Sequence, residues 1–390
     1  MTKYLLKDVL ATESPLLNDN ILVVGASGSG KTSLFVDTQI KNSVGSIVVS
    51  DTKSNLYMKY KADLENRGYK VILIDFNELD KSTYGYNPMK RLAEQGENYC
   101  IEDVRDIAYV ICPDDPRERE PFWTQAARMM IEAYIMLTLE MLASGKVQPN
   151  LRTVAAFLSD ISIQNAYAMM FEDCDNLSEV FRSFCWLIKI VDAEKMMASI
   201  YQYVHNSMIC FDTDKMFRFF TRDTQIDFMD IAEKKTALFL NVSDNNRTND
   251  KLVSLFYTQM FQELIRYADT LEDRRLHIPV NVIMDDFATN TFIAGFEDTI
   301  SVIRSRGIAV SIILQSLSQL KGKYKESAAM TIINNCDRCV YLGANDVQLI
   351  DYISQKADRQ VSSLLNLPLD TAIVFERGQE PREIKKQFEF

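Results

Sequence analysis

The chain has 390 residues, of which 47% are hydrophobic and 25% charged, and these values exclude an intrinsically disordered polypeptide. Its length exceeds that of one ordinary compact core and predicts two domains. A net charge of −11 and a pI near 4.9 exclude a generally basic nucleic-acid binder. Any positive charge meant for DNA must then be concentrated in one place, such as a pore or groove.

Ile21-Leu22-Val23-Val24 is a short apolar run that ends in glycine and reads as a buried parallel strand. A glycine-rich turn follows, then a helix from about Lys31. Ser46–Ser50 and Lys70–Asp75 read as two more buried strands. Strand and helix alternate here, which implies right-handed crossovers and a parallel sheet. From about Gly96 to Phe220 there is little strand signal. Apolar residues at helical spacing fill Phe122–Met141, Leu151–Leu158, Ile161–Met170, Leu177–Ile190 and Ala193–Ile209. Strand texture returns at Thr236–Val242, Val280–Met284, Ile308–Leu314, Arg338–Leu342 and Thr371–Phe375. The expected fold is α/β, with residues 1–95 and 225–390 forming one discontinuous domain around an all-helical insertion at 96–224. The charged segment Arg377–Phe390 is expected to be a mobile tail.

The seven cysteines are scattered and odd in number, and no signal peptide is evident, so a reduced, cytoplasmic protein is expected. Cys336 and Cys339 form a lone C-x-x-C, and the only histidines, His205 and His277, lie far off in sequence. Both thiols are expected to pack beside a strand rather than hold zinc. No apolar run approaches the roughly 18–20 residues of a membrane-spanning helix. The expected location is therefore cytoplasmic and peripheral at the cell membrane, with no anchor of its own.

Gly25, Ala26, Ser27, Gly28, Ser29, Gly30, Lys31 and Thr32 match G-x-x-x-x-G-K-[ST] in full, directly after a strand and at the start of a helix. With Ser33 they form the expected phosphate cradle. The glycines let backbone N–H groups turn inward, and the helix N-terminus adds partial positive charge. Lys31 is expected to reach the β- and γ-phosphates of ATP, and the Thr32 hydroxyl to ligate Mg²⁺. A P-loop needs a second acid for the metal. Val282-Ile283-Met284-Asp285-Asp286, an apolar strand ending in acids, supplies it. Asp285 is the expected metal-side acid and Asp286 the expected base toward the attacking water. Gln315, at the tip of the strand Ile308–Leu314, is placed to sense the γ-phosphate. Arg304 and Arg306 precede that strand, where an arginine can serve a neighbouring subunit's site.

The joint order of these blocks selects a family. Asn20-Ile-Leu-Val-Val-Gly25 leads into the P-loop, followed by Val49-Ser-Asp51-Thr-Lys53, Tyr86-Asn87-Pro88 and Phe122-Trp123. Farther on come Asp285-Asp286-Phe287-Ala288, Arg304-Ser-Arg306, Gln315-Ser316-Leu317-Ser318-Gln319-Leu320 and Asn335-Cys336-Asp337. The chain resembles the type IV secretion coupling proteins of the TraG/TraD type, RecA-like hexameric ATPases related to the HerA/FtsK translocases. The resemblance implies a RecA-like P-loop domain with an inserted helical domain. It implies an ATPase that binds ATP and Mg²⁺ and drives single-stranded DNA, with its relaxase, into a secretion channel. It makes Arg304, rather than Arg306, the arginine finger acting in trans, and assigns relaxosome recognition to the helical domain. The expected partners are relaxase and relaxosome proteins, single-stranded DNA, channel components, with a separate membrane protein as a route to them, and further copies in a homo-hexamer. Three departures stand out: aspartate at position 286 where the family has glutamate, Asp51-Thr52-Lys53-Ser54 in place of D-P-K-G, and no N-terminal membrane helices. Lys321, Lys323 and Lys325, read as one side of an extended segment, are candidate nucleic-acid contacts. Two other readings stay open: an ATP-gated receptor for relaxosome proteins with little motor activity, and a HerA/FtsK-like DNA pump.

Overall fold

The fold is taken from a computed structural model that describes residues 4–114, 121–142, 145, 148–173, 179–189, 194–243, 245–287 and 292–387. Of the expected elements, Leu177, Ile190, Ala193 and Ala288 lie outside these residues, as do 388–390 of the C-terminal segment.

A small hairpin comes first. Tyr4–Leu6 (β1) pairs antiparallel with Val9–Leu10 (β2), and Asp8 takes the left-handed conformation (φ 61°) that the tight turn demands. The apolar runs then form one nine-stranded sheet. Its strands are Ile21–Val24 (β3), Ser46–Asp51 (β4), Lys70–Asp75 (β5), Thr236–Asn241 (β6), Val280–Met284 (β7), Ile308–Leu314 (β8), Arg338–Tyr341 (β9), Thr371–Glu376 (β10) and Arg382–Lys385 (β11). The order across the sheet is β11-β10-β9-β3-β8-β7-β4-β6-β5. All pairings from β9 to β5 are parallel, and β10 and β11 close one side antiparallel. Strands β3, β4 and β6 are buried along their whole length, as strands covered on both faces should be.

The C-terminal segment is not a tail over its described part. Arg382–Lys385 is the edge strand β11, held by Arg382 Nη2 to Glu376 Oε1 at 2.6 Å and Lys385 Nζ to Asp370 Oδ2 at 2.8 Å. Its charged residues are the outward face and edge of a strand, where charge discourages further pairing. Arg338, 3% exposed at the start of β9, joins the N-terminal segment to the sheet. Its guanidinium donates to Glu376, to the carbonyls of Asn18 and Thr12, and to Asp19 Oδ1. Both members of its pair with Glu376 are buried, so the surrounding hydrogen bonds are what offset the desolvation of the charges.

The chain separates into two compact units. One comprises Met1–Asn77, Asp227–Asp250 and Met260–Phe390 and holds the sheet; the other comprises Glu78–Ile226 and Lys251–Gln259 and is helical. The helical unit thus starts earlier than the expected 96–224 and takes in a stretch of the helix Asp250–Thr270. The reason lies where the chain comes in and leaves. Gly85 bridges in parallel to Gln225, and Arg222 donates to the carbonyls of Ser82 and Asp80. A side chain at position 85 would have its Cβ 2.5 Å from the carbonyl of Phe219, so only glycine permits this approach. Inside this unit the helix Phe122–Leu142 is the centre. It packs against Ile101–Ile111, Leu151–Asp160, Glu179–Ile188 and Glu194–Met208. Over their described residues the helices expected from apolar periodicity are present, Ile161–Met170 as the helix Ile163–Asp173.

Candidate functional site

The candidate residues converge at the carboxyl ends of three adjacent strands. β3 carries the P-loop, β7 carries the acid pair, and β8, which carries Gln315, runs between them. Register places Val24 beside Leu314 and Met284 beside Ile312, so the loops after the three strands emerge at one edge. That edge is where open α/β sheets bind ligands.

Two positive-φ glycines shape the P-loop: Gly28 (φ 76°) and Gly30 (φ 95°). The loop is tied at its base by Gly25 N to Leu314 O at 3.1 Å and Ala26 N to Gly343 O at 2.8 Å. A helix opens at Lys31, its first six residues wound as π-helix and Leu34 N bonded back to Gly30 O at 2.8 Å. Ser27, Gly28 and Ser33 are exposed, and Ala26, Ser29, Gly30 and Thr32 are half-buried. The Lys31 side chain turns back into the loop and donates to the carbonyls of Gly25 and Ala26, both at 3.1 Å. Burial holds its ammonium below the usual lysine range, against the pull of Asp286 and Asp285, while the Lys53 cation acts in the same direction as burial. Lys53 therefore belongs to the electrostatic neighbourhood of the P-loop.

Asp285 is buried at the end of β7. Its backbone N–H donates to Ser50 Oγ at 2.7 Å, and Ser50 Oγ donates back to its carbonyl at 3.3 Å. The pairing of β4 with β7 brings Ser50 to this place. Thr32 Oγ1 lies 3.4 Å from Asp285 Oδ2. Burial, and then the neighbouring Asp286 carboxylate, push the Asp285 carboxyl up to about 6. A buried carboxylate and a hydroxyl facing one another beside a lysine form an oxygen donor set suited to a hydrated divalent cation. The buried Ser29 hydroxyl, without a hydrogen-bond partner, adds an unused polar group to the same loop.

Asp286 sits in left-handed backbone (φ 48°), a costly conformation for a non-glycine residue that turns its side chain off the strand line. Gln315 Nε2 donates to Asp286 Oδ1 at 2.5 Å. Lys31, Thr32, Asp285, Asp286 and Gln315 are thus one cluster.

Arg304 is elsewhere. It follows the helix Phe296–Val302, is exposed, and donates to the carbonyl of Pro15. It lines a cavity of about 960 Å³ at the amino ends of β4, β7 and β8, beside Ser46, Val280 and Ile308. The length of β8 separates it from Gln315 within one chain. Arg306 is held to Asp269 at 3.0 Å.

Asp51, whose role the sequence leaves open, closes a turn. Its carboxylate accepts from the backbone N–H groups of Lys53 (3.0 Å), Asn55 (2.7 Å) and Leu56 (2.6 Å), where the helix Leu56–Asn66 begins. The three-lysine segment also differs from expectation. Leu317–Lys323 is a helix, so Lys321 and Lys323 do not share a face. Lys321 pairs with Glu326 at 2.7 Å, and burial brings the Lys323 ammonium down to about 8 with Asp250 pulling it up. The unfolded chain binds the Lys323 proton from about pH 10.5 downward, and the folded chain only below about 8. This group therefore subtracts stability as pH falls through that window. Lys323→Met is expected to raise stability by roughly 1 kcal/mol at pH 7, and by less at pH 10, in urea unfolding. A lower midpoint at pH 7 would show that its ion contacts outweigh desolvation. Cys336 and Cys339 are buried, and burial pushes the Cys339 thiol up to about 11.

Parallel order, P-loop, acid pair and intervening amide define a RecA-like P-loop nucleotide-binding fold with a helical unit. The chain belongs to the family described as "Type IV secretory system Conjugative DNA transfer", whose pattern matches residues 6–359. It is 21% identical over 336 residues to VirD4 of Rhizobium rhizogenes and 23% identical over 341 residues to VirD4 of Agrobacterium fabrum. Each alignment covers 86% of this chain and 48% of the relative, so the chain spans about half the length of the curated relatives it matches. Among solved structures, the unbound bacterial conjugative coupling protein TrwBdeltaN70 superposes with a TM-score of 0.75 at 15% identity, covering 100% of this chain and 89% of that one. TrwB in complex with ADP and Mg²⁺ superposes with a TM-score of 0.69 at 16% identity, covering 95% and 86%. Among the described residues no helix is long and apolar enough to cross a membrane.

Proposed function

We propose that this chain is the ATP-driven coupling protein of a conjugative type IV secretion system, recruiting a relaxase–DNA substrate and driving single-stranded DNA toward the channel. The observation that carries this reading is the cluster Lys31, Thr32, Asp285, Asp286 and Gln315 at one sheet edge, in a chain of the conjugative DNA transfer family. The complexes of TrwB with GDPNP, with ADPNP and with ADP and Mg²⁺ support nucleotide and magnesium as its ligands.

In this reading Gly25 to Ser33 cradle the phosphates through backbone N–H groups at a helix N-terminus. Lys31 exchanges its contacts to the Gly25 and Ala26 carbonyls for phosphate oxygens. Thr32 and Asp285 would hold a magnesium ion, which when bound would neutralise charge on the transferred phosphoryl group. Asp286 orients the attacking water as base. Gln315, bonded to Asp286, reports whether a γ-phosphate is present. Aspartate is one methylene shorter than the family's glutamate, and a small misplacement of a base slows turnover. Arg304 serves the site of a neighbouring copy in a homo-hexamer. The helical unit engages relaxosome proteins, and the chain works peripherally at the membrane.

The test is ATP hydrolysis with and without single-stranded DNA across a salt series. The expected result is turnover stimulated by DNA, with the stimulation lost as salt rises. Nucleotide binding with negligible turnover, even with relaxase present, would instead identify an ATP-gated receptor.

The raised Asp285 gives a second test. The folded chain keeps this proton between about pH 4 and 6, where the unfolded chain has lost it, so the group subtracts stability as pH rises through that window and carries its full penalty above 6. Asp285→Asn is expected to stabilise the nucleotide-free protein at pH 7.5 by about 1–3 kcal/mol, and to abolish the effect of Mg²⁺ on nucleotide affinity. Urea unfolding and nucleotide titration with and without Mg²⁺ check the two halves. A variant whose nucleotide affinity still responds to Mg²⁺ removes Asp285 from the metal site.

A further inference from the structure

The loop after β9 is fastened to the nucleotide site at both of its ends. At its start, Leu342 N donates to Val24 O at 2.7 Å, and Gly343 O accepts from Ala26 N of the P-loop at 2.8 Å. Tyr341 fixes its middle, its hydroxyl accepting from Ala344 N and donating to Leu364 O, both at 3.2 Å. At its far end stands Asp346. One carboxylate oxygen, Oδ1, accepts from Leu349 N at 3.1 Å and caps the helix Val347–Ala357. The other, Oδ2, accepts from the Ser316 hydroxyl, from Leu317 N at 3.0 Å and from the Ser318 hydroxyl at 3.2 Å. Ser316 is in turn the N-cap of the helix Leu317–Lys323. One half-exposed carboxylate therefore ties together the starts of two helices, and the second of these begins directly after Gln315.

Gln315 has its backbone neighbours bound on both sides. Leu314 O accepts from Gly25 N, and Ser316 and Leu317 are bound to Asp346. This anchors the backbone from which the Gln315 side chain donates to Asp286 Oδ1 at 2.5 Å. We propose that Asp346 is the positioning residue of the site: it fixes the Gln315 amide against Asp286 and makes that alignment depend on the P-loop, through Gly343 and Ala26. Capping alone does not need an acid. Serine caps a helix nearly as well, but its hydroxyl cannot reach both helix starts at once. The join comes from the two carboxylate oxygens, Oδ1 accepting from Leu349 N and Oδ2 from Ser316, Leu317 and Ser318.

The functional half of this inference rests on the ATPase reading; the structural half does not. The experiment compares wild type, Asp346→Ser, Asp346→Asn and Lys31→Ala. Hydrogen exchange read by mass spectrometry, on protein without nucleotide, measures the structural half. In Asp346→Ser, exchange across Leu314–Leu320 is expected to rise about tenfold or more while Val347–Ala357 keeps its protection. Unchanged exchange across Leu314–Leu320 overturns the proposal whatever the ATPase does. Steady-state kinetics measure the functional half. Asp346→Ser is expected to lose about tenfold in kcat with ADP affinity within about threefold of wild type, and Asp346→Asn, which keeps the length and one acceptor, to recover part of kcat. Equal kcat in wild type and Asp346→Ser overturns the positioning role. Wild-type turnover no greater than that of Lys31→Ala overturns the ATPase reading instead, and the exchange result then still decides whether Asp346 holds the Gln315 loop.

Discussion

Lys31→Ala is expected to lower ATP turnover on the order of 10³-fold, the cost of deleting one preorganised charge aimed at the transferred group. The ammonium is already in the loop, 3.1 Å from the carbonyls of both Gly25 and Ala26, and burial weakens its hold on its proton. A cation held this way exchanges two neutral acceptors for charged phosphate oxygens, so its contribution grows with the charge that develops on them. Asp286 and Asp285 oppose the effect of burial on the Lys31 ammonium. Removing Lys31 also removes a counter-charge from Asp285, whose pull is downward on that carboxyl. The variant is therefore expected to hold Mg²⁺ less well at neutral pH as a secondary effect. Hydrolysis at saturating ATP, with nucleotide affinity measured separately, checks the prediction. Turnover within about tenfold of wild type would mean that Lys31 keeps its contacts to the loop carbonyls and does not reach the phosphates.

Much of this site is legible in the sequence because its parts are local. A P-loop is a contiguous pattern, and Asp285-Asp286 and Gln315 each stand directly after an apolar run whose length marks a buried strand. The side chains that support them are not local. Ser50 reaches Asp285 only because β4 lies beside β7, an adjacency that chain order hides. Asp346 is 30 residues from Ser316, and alone it reads as an ordinary helix cap. Asp51 illustrates the opposite problem, since a motif-like acid at a strand end turns out to accept three backbone N–H groups. The edge of the sheet carries an equally weak sequence signal. Arg382–Lys385 is charged at nearly every position, as an edge strand can be, and periodicity with so little apolar content resembles a tail. Lys321 and Lys323 do not read as helical because Gly322 weakens the signal of a segment that tertiary packing nonetheless winds into a helix.

Arg304→Ala is expected to lower turnover by about 10³-fold or more, the range for loss of an arginine finger, with nucleotide affinity nearly unchanged. The geometry demands that such an effect act between copies. Arg304 precedes β8 and Gln315 follows it, and a seven-residue strand rises about 3.3 Å per residue, so roughly 20 Å of sheet separate the arginine from its own cluster. An arginine side chain does not span that distance. If Arg304 contributes to hydrolysis, it completes the site of a neighbour. Mixing two inactive variants then gives a decisive result. An Arg304→Ala subunit keeps an intact P-loop, and a Lys31→Ala subunit keeps an intact arginine. Where the second stands next to the first in a ring, one whole site is rebuilt, and the mixture is expected to recover a substantial fraction of wild-type turnover, with a maximum near equal proportions. No recovery, while the mixed subunits still co-assemble by light scattering, would mean that Arg304 does not act in trans. If Arg304→Ala alone instead hydrolyses normally when folded, the hydrogen bond from Arg304 to the Pro15 carbonyl describes its whole role, as a clasp on the N-terminal segment, and the variant should unfold at lower urea. The two roles predict opposite pairs of results, so one set of variants separates them.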